Sequence, residues 1–203
     1  MATPLGILEF QKAIRGGVRP NLFSVSHAWP QGTSLSEPVI DGVAASKGSA
    51  VTYMCKSAAL PATSVGTVEL PFRGRVIKVP GDRSYETWTG TFYMDDAFGL
   101  RSEYEKWIEL TNGVDKNTAS ADIVDTWVDI KVTQLDKFGG DTSDKLNELR
   151  VYRLVQAWPV SVSQISLAYD NNDSYEEFDV EFAYQYHTSV GPGGIDTVDI
   201  SGS

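Results

Sequence analysis

The sequence predicts a mainly-β protein, an antiparallel sandwich or barrel with one flanking helix. Three observations predict it. Many short segments rich in β-branched and aromatic residues are separated by turn residues. The clearest of them alternate strictly between apolar and polar side chains, the period of a half-buried strand. And a single long stretch, "DDAFGLRSEYEKWIELTNG", carries a strong helical period.

Taken in order, "GILEFQKAIRGG" is a candidate short helix stopped by Gly16 and Gly17. "NLFSVSHAW" is the first strand and "SAVTYMCKSAALP" the second. "GTVELPF" and "RVIKVP" predict two short strands closed by Pro71 and Pro80. In "SYETWTGTFYM", Trp88, Gly90, Phe92 and Met94 fall on one side, and Thr87, Thr89 and Thr91 on the other. The helix follows, with Ala97, Leu100, Tyr104, Trp107 and Ile108 as its apolar stripe. Asp95 or Asp96 can cap its start, and Asn112-Gly113 can end it. Strands "TWVDIKVTQLDKFGG" and "LRVYRLVQAWP" come next. Then "SQISLAY" and "SYEEFDVEFAYQY", separated by the turn cluster "DNNDS", read as a hairpin. In its second half Phe178, Val180, Phe182, Tyr184 and Tyr186 share one face; Glu177, Asp179, Glu181, Ala183 and Gln185 share the other. Trp88, Phe92, Tyr104, Trp107, Phe178, Val180 and Phe182 are therefore the expected core.

Pro30 to Ser49, Gly/Ser-rich, is too long for a hairpin turn and reads as a loop insertion, as does the polar "NGVDKNTASAD". No internal repeat or compositional shift marks a second domain. A single domain over 1–187 with a tail over 188–203 is expected, in which "IDTVDIS" could add a strand to a neighbour's edge.

Composition narrows the function. Hydrophobic residues make up 41% of the 203 residues, enough for a core. Cys55 stands alone, so no intrachain disulfide forms. There is no apolar run of membrane-spanning length, and "MATPLGILEFQKAIR" lacks the pattern of a signal peptide, so folding in a cytoplasm is expected. The formal charge of -10 argues against tight nucleic-acid binding, which relies on Lys and Arg to neutralise phosphates. It does not argue against nucleic acid passing nearby, and by itself it reads as solubility.

Nothing in the chain asks for catalysis. His27 and His187 have no metal-ligand spacing and read as surface or interface residues. Asp95-Asp96 is a carboxylate pair of the type a glycosidase uses, but before a helix it is more simply a cap. The G-x-S-x-G elbow and the nucleotide-cradling glycine motifs are absent, and Cys55 has no neighbouring His. No catalytic residue, metal or cofactor is assigned.

Particular phrases go further than periodicity. "RPNLFSV", "CKSAALPA", "LPFRGRVIKVPGDRSYETWTGTFYMDD" and "AWPVSVSQISLAYDNNDSYEEFDVEFAYQY", in that order, resemble the tail tube proteins of contractile-tailed bacteriophages, over Arg19 to His187. Where that family's closing strand often ends on another bulky aromatic, this chain has His187. The resemblance implies a structural virion protein rather than an enzyme. It implies two packed antiparallel sheets with a flanking helix, and hexameric rings stacked into the tube that conducts phage DNA. Its implied partners are further copies of itself, the sheath, tape-measure, baseplate and tail terminator proteins, and DNA in transit, with no membrane. Assembly would take place in the host cytoplasm.

In such a tube one sheet face turns to the lumen. The resemblance makes Glu177, Asp179, Glu181 and Gln185 lumen candidates, with Thr87, Thr89 and Thr91 as a neutral part of the lining. The alternatives are a tube-initiating baseplate protein, the tube of a phage-like injection system, or a monomeric carbohydrate-binding sandwich using Trp29 and Trp127. An enzyme acting through Asp95 or Asp96 is a further alternative.

Overall fold

The computed structural model describes residues 6–14, 17–30, 39–40, 43–44, 49–115, 117–119, 122–139, 146–170 and 172–191. Most of the Pro30–Ser49 insertion and all of "IDTVDIS" lie outside the described residues.

In chain order the elements are α1 (Ile7–Ile14), β1 (Phe23–His27), β2 (Val39–Ile40), β3 (Val43–Ala44), α2 (Ser49–Met54), β4 (Cys55–Ala58), β5 (Thr63–Phe72) and β6 (Arg75–Tyr85). They continue with β7 (Trp88–Tyr93), α3 (Gly99–Thr111), a single 3-10 turn (Ile123–Thr126), β8 (Val128–Gly139), β9 (Leu146–Val162), β10 (Glu177–Ala183) and β11 (Tyr186–Val190).

The fold is organised around the 17-residue strand β9. Its first half pairs with β8, which in turn carries β1 on its far edge; its second half pairs with β10, followed by β7 and β4. All these pairings are antiparallel. Near the middle Gln156 takes a left-handed backbone (φ 53), and its N–H donates to Asp129 Oδ1 at 3.0 Å. That is the corner at which one sheet becomes the other. β10 and β11 follow the same edge of β9 around it, since Ala183 opposite Trp158 and Tyr186 opposite Val155 keep one register. The result is a single curled sheet, closed on an aromatic core.

The core comprises Trp88 and Phe92 of β7, Phe178, Val180 and Phe182 of β10, and Leu100, Tyr104 and Trp107 of α3, all buried. Val25, Ile130, Val132, Leu154 and Ala157 close it from the other half of the sheet. On β7 the pattern leaves no room for a side chain between two rings. A Cβ on Gly90 would lie 3.1 Å from Trp88 and 3.2 Å from Phe92. α3 begins at Gly99, whose N–H is capped by Asp95 Oδ2 at 3.0 Å, and ends where Asn112 turns extended. Ala97 lies ahead of the helix and is exposed.

Four sequence expectations need correction. Residues Ser49–Met54, expected as strand, form α2; it turns Ala50 and Val51 inward, and Thr52 Oγ1 bonds the Val25 carbonyl at 2.8 Å. "SQISLAY" is not the partner of β10. The end of β9 takes that place, and Leu167 and Tyr169 stand exposed beyond it. Thr188, placed in the tail, continues β11 to Val190 opposite Arg153 to Val151. Pro71 and Pro80 do not close their strands. β5 and β6 form a long isolated ribbon whose outer edges need no N–H from either proline, so both are tolerated inside it.

Candidate functional site

The polar side of the β9–β10–β7–β4 sheet carries the carboxylate row. Glu177, Asp179 and Glu181 alternate with buried Phe178, Val180 and Phe182 along β10, so the same backbone that fills the core fixes the row on the opposite face. In register, Asp179 stands opposite Thr91 and Glu181 opposite Thr89. Thr91 donates to Asp179 Oδ1 at 2.7 Å. Thr87, just before β7, donates to Glu181 Oε1 at 2.5 Å.

Three further residues join this face. Ser161 of β9 donates to Glu181 Oε2 at 3.2 Å, and the Asp179 N–H donates to Ser163 Oγ at 2.8 Å. Lys56 of β4 reaches across Tyr93 to pair with Glu177 Oε1 at 2.5 Å. Sequence reasoning missed all three. The alternation of Ser161, Val162 and Ser163 was the available signal, but it acquires a meaning only once β9 is known to pair with β10. Gln185 lies outside the row, in the break between β10 and β11, with its backbone N–H on the Val155 carbonyl at 3.1 Å.

Among the described residues the face thus joins hydroxyls and carboxylates with the Lys56 ammonium. Hydroxyl donors occupy carboxylate lone pairs without cancelling the charge. Among the described residues no group of His, Cys, Asp and Glu could hold a metal ion.

Both edges of this sheet are open among the described residues. β4 pairs only with β7, and Trp158–Val162 of β9 pairs only with β10, since the β8 ladder stops at Ala157. The β5–β6 ribbon stands apart. Its turn is Arg73-Gly74, both with positive φ (45 and 79), the two-residue geometry that matches strand twist. Val68, Leu70, Phe72, Ile77 and Val79 share one face of the ribbon, and each is at least 39% exposed.

The other candidates lie elsewhere. His27 is buried: its Nδ1–H donates to the Ala28 carbonyl at 2.9 Å, so Nε2 accepts from Tyr104 OH at 2.8 Å. Burial lowers its pKa to about 4, against the raising effect of the Ala28 bond. Burial likewise pushes the Tyr104 hydroxyl well above its ordinary value and the Cys55 thiol up to about 11, so the thiol is not an activated nucleophile. Trp29, read from sequence as exposed, is buried edge-on to His27 (centroids 5.0 Å apart), and Trp127 stacks on Trp158. Both indoles line one open cavity, together with Val124, Asp125 and Gln156. Asp95 Oδ2 serves as the cap of α3, and its buried Oδ1 has no hydrogen-bond partner among the described residues.

With this geometry in view, the likenesses are specific. The sequence matches the phage tail tube protein family over residues 18–190. It is 27% identical to the tail tube protein of Enterobacteria phage T4 over 168 residues, 83% of this chain and 89% of that one. It is 30% identical to the tail tube protein of Serratia phage KSP90 over 124 residues, 61% of this chain and 66% of that one. The fold resembles a chain of the sheath–tube complex of the extracellular contractile injection system PVC, with a TM-score of 0.58 at 16% identity over 94% of this chain and 99% of that one. It also resembles a chain of the anti-feeding prophage baseplate, with a TM-score of 0.57 at 12% identity over 94% of this chain and 98% of that one. A curled, mainly-β sheet with open edges, matched by this family along most of its length, places the chain in the phage tail tube protein family, whose members are structural.

Proposed function

We propose that six copies of this chain close into a ring and that stacked rings form the inner tube of a contractile tail, through which phage DNA passes. The observation that carries this reading is the sheet with an acidic outer face and two open edges. An unpaired strand edge recruits a partner. Pairing β4 of one copy with Trp158–Val162 of the next satisfies both edges at once and continues the sheet around a ring.

Ring closure of this kind turns the hydroxyl and carboxylate face inward. Glu177, Asp179, Glu181, Thr87, Thr89 and Thr91 then line the lumen beside Ser161. DNA phosphates gain nothing by touching such a wall, since almost no Lys or Arg is there to displace their counterions. Screening limits the reach to about 8 Å at physiological salt, so the wall discourages contact without holding DNA at the centre. Stacking falls to the β5–β6 ribbon, whose apolar face is covered by a copy in the next ring.

The single domain of residues 1–187 extends to Val190 in this reading. The sheath lies outside the tube, the tape-measure protein occupies it during assembly, and baseplate and terminator proteins bound its ends. The assembled protein is part of the virion and is built in the host cytoplasm. Six chains at -10 carry about -60 per ring, a self-repulsion that keeps free chains soluble until a template nucleates them.

Negative-stain electron microscopy of the purified chain at low and high salt tests the proposal. Rings or hollow tubes, forming faster at high salt, are the expected result. A chain that stays monomeric at every salt concentration, even with baseplate added, overturns it.

A further inference from the structure

Among the described residues the β5–β6 ribbon shares no strand pairing with the curled sheet, so its angle is set by its short links to β4 and β7 and by side-chain contacts at its root. Thr63 and Tyr85 are paired across that root, one from each strand. Both touch the same imidazole. Tyr85 packs edge-on to His187 with centroids 5.4 Å apart and an interplanar angle of 77°, and Thr63 Oγ1 lies 3.2 Å from His187 Nε2. On the sheet side His187 sits in β11, opposite Leu154, where β10 gives way to β11 at the corner. There it meets Tyr184 (6.1 Å) and Tyr152 (6.3 Å), and Tyr184 itself reaches Tyr85 (6.0 Å).

We propose that His187 is the positioning residue that holds the β5–β6 ribbon at a fixed angle to the curled sheet. The geometry fits an uncharged ring. Nε2 shares a hydrogen bond with the Thr63 hydroxyl, which donates or accepts according to the tautomer. Nδ1 is buried and has no hydrogen-bond partner among the described residues, so the doubly protonated ring would leave one N–H without an acceptor. The charged and titratable groups around the ring do not relieve this. They are Arg83 and Tyr85 of β6, Tyr184, Tyr152 with Arg150 over its ring, and Glu86, which acts on Tyr184. Burial, and then Arg83, lower the pKa of His187 below its usual 6.5. The sign follows. A depressed histidine pKa makes the docked arrangement fully favourable above the unperturbed value and progressively less so as pH falls below it. The ribbon is held most firmly at neutral pH, and acid weakens that hold. The inference rests on the tube reading only for its consequence, that ring stacking weakens with the latch.

Distances between spin labels at Lys78→Cys on the ribbon and Glu105→Cys on α3, in a Cys55→Ala full-length chain kept unassembled, test this directly. With His187 intact the distance distribution should be narrow at about pH 7.5 and at least about two-fold broader at about pH 5.5. His187→Ala should be broad at both. His187→Phe, which keeps the ring stacking but cannot titrate, should be narrow at both. An unchanged width on acidification with His187 intact overturns the proposal, as does an acid-induced broadening retained in His187→Phe. Should His187→Ala fail to fold, the histidine and phenylalanine chains decide the matter alone. Electron microscopy of the same chains separates the two readings: labels that respond as stated while tubes never form would keep the latch and reject the stacking role.

Discussion

The curled sheet and the β5–β6 ribbon are built from similar strands with opposite consequences. Under the sheet, Phe92, Phe178 and Phe182 are almost wholly removed from water by one another and by Tyr104 and Trp107 of α3. In the ribbon, Leu70, Phe72 and Ile77 are at least half exposed. An isolated two-stranded hairpin has marginal stability in water, so an apolar ribbon projecting alone is adapted to another surface. The sheet is stable because its own chain covers it, whereas the ribbon's apolar face is exposed among the described residues, as the proposed contact with another copy requires. Stability and assembly are thereby separated in the sequence, and mutations should separate them too.

The largest effect on the unassembled chain should come from the core that the sheet shares with α3. Trp107→Ala removes a fully buried ring and its bond from Nε1 to the Thr126 carbonyl (2.9 Å), and should cost about 3–5 kcal/mol in chemical denaturation. A cost below about 1 kcal/mol would mean the core is not closed as described. Next comes the buried His27. Its pKa of about 4 in the fold against 6.5 unfolded means that the unfolded chain binds the extra proton first. Stability therefore falls as pH drops from 6.5 towards 4, by about 3 kcal/mol in all. His27→Gln should flatten that part of the curve.

Ribbon substitutions should reverse the pattern. Leu70→Ser with Phe72→Ser should shift the unassembled chain by no more than about 0.5 kcal/mol, yet abolish tubes under the microscope. Tubes formed as readily as before would end the stacking role of the ribbon. Smallest in stability is the acidic face. Glu177, Asp179 and Glu181 to Lys should leave tubes assembling and slow genome delivery in a salt-dependent way, because phosphates then find cations to bind. Normal infectivity with intact tubes would remove the carboxylates from the lumen.

Much of this comparison was legible in the residues, and unevenly. Trp88, Phe92, Phe178, Val180 and Phe182 declare their inward direction by alternation, and Leu100, Tyr104 and Trp107 do so by helical spacing; burial follows from these periods whatever the partner. The acidic face is legible for the same reason. α2 was not, because Ser49–Met54 is β-branched and aromatic enough to read as strand, and only packing on β1 favours the helix. Strand propensity yields to such context readily.

By itself the sequence determined which side chains face inward along each strand and helix, and, through its ordered phrases, the family. Those properties are local: a period of two or 3.6 residues is imposed by backbone geometry within a few positions. Tertiary structure alone decided that β9 turns at Gln156 and pairs with β10, and that the β5–β6 ribbon stands clear of the sheet. It alone brought Ser161, Ser163 and Lys56 to the carboxylates and His187 to Thr63 and Tyr85. These are contacts between residues up to 124 positions apart, and no local period encodes which distant strand will satisfy an edge.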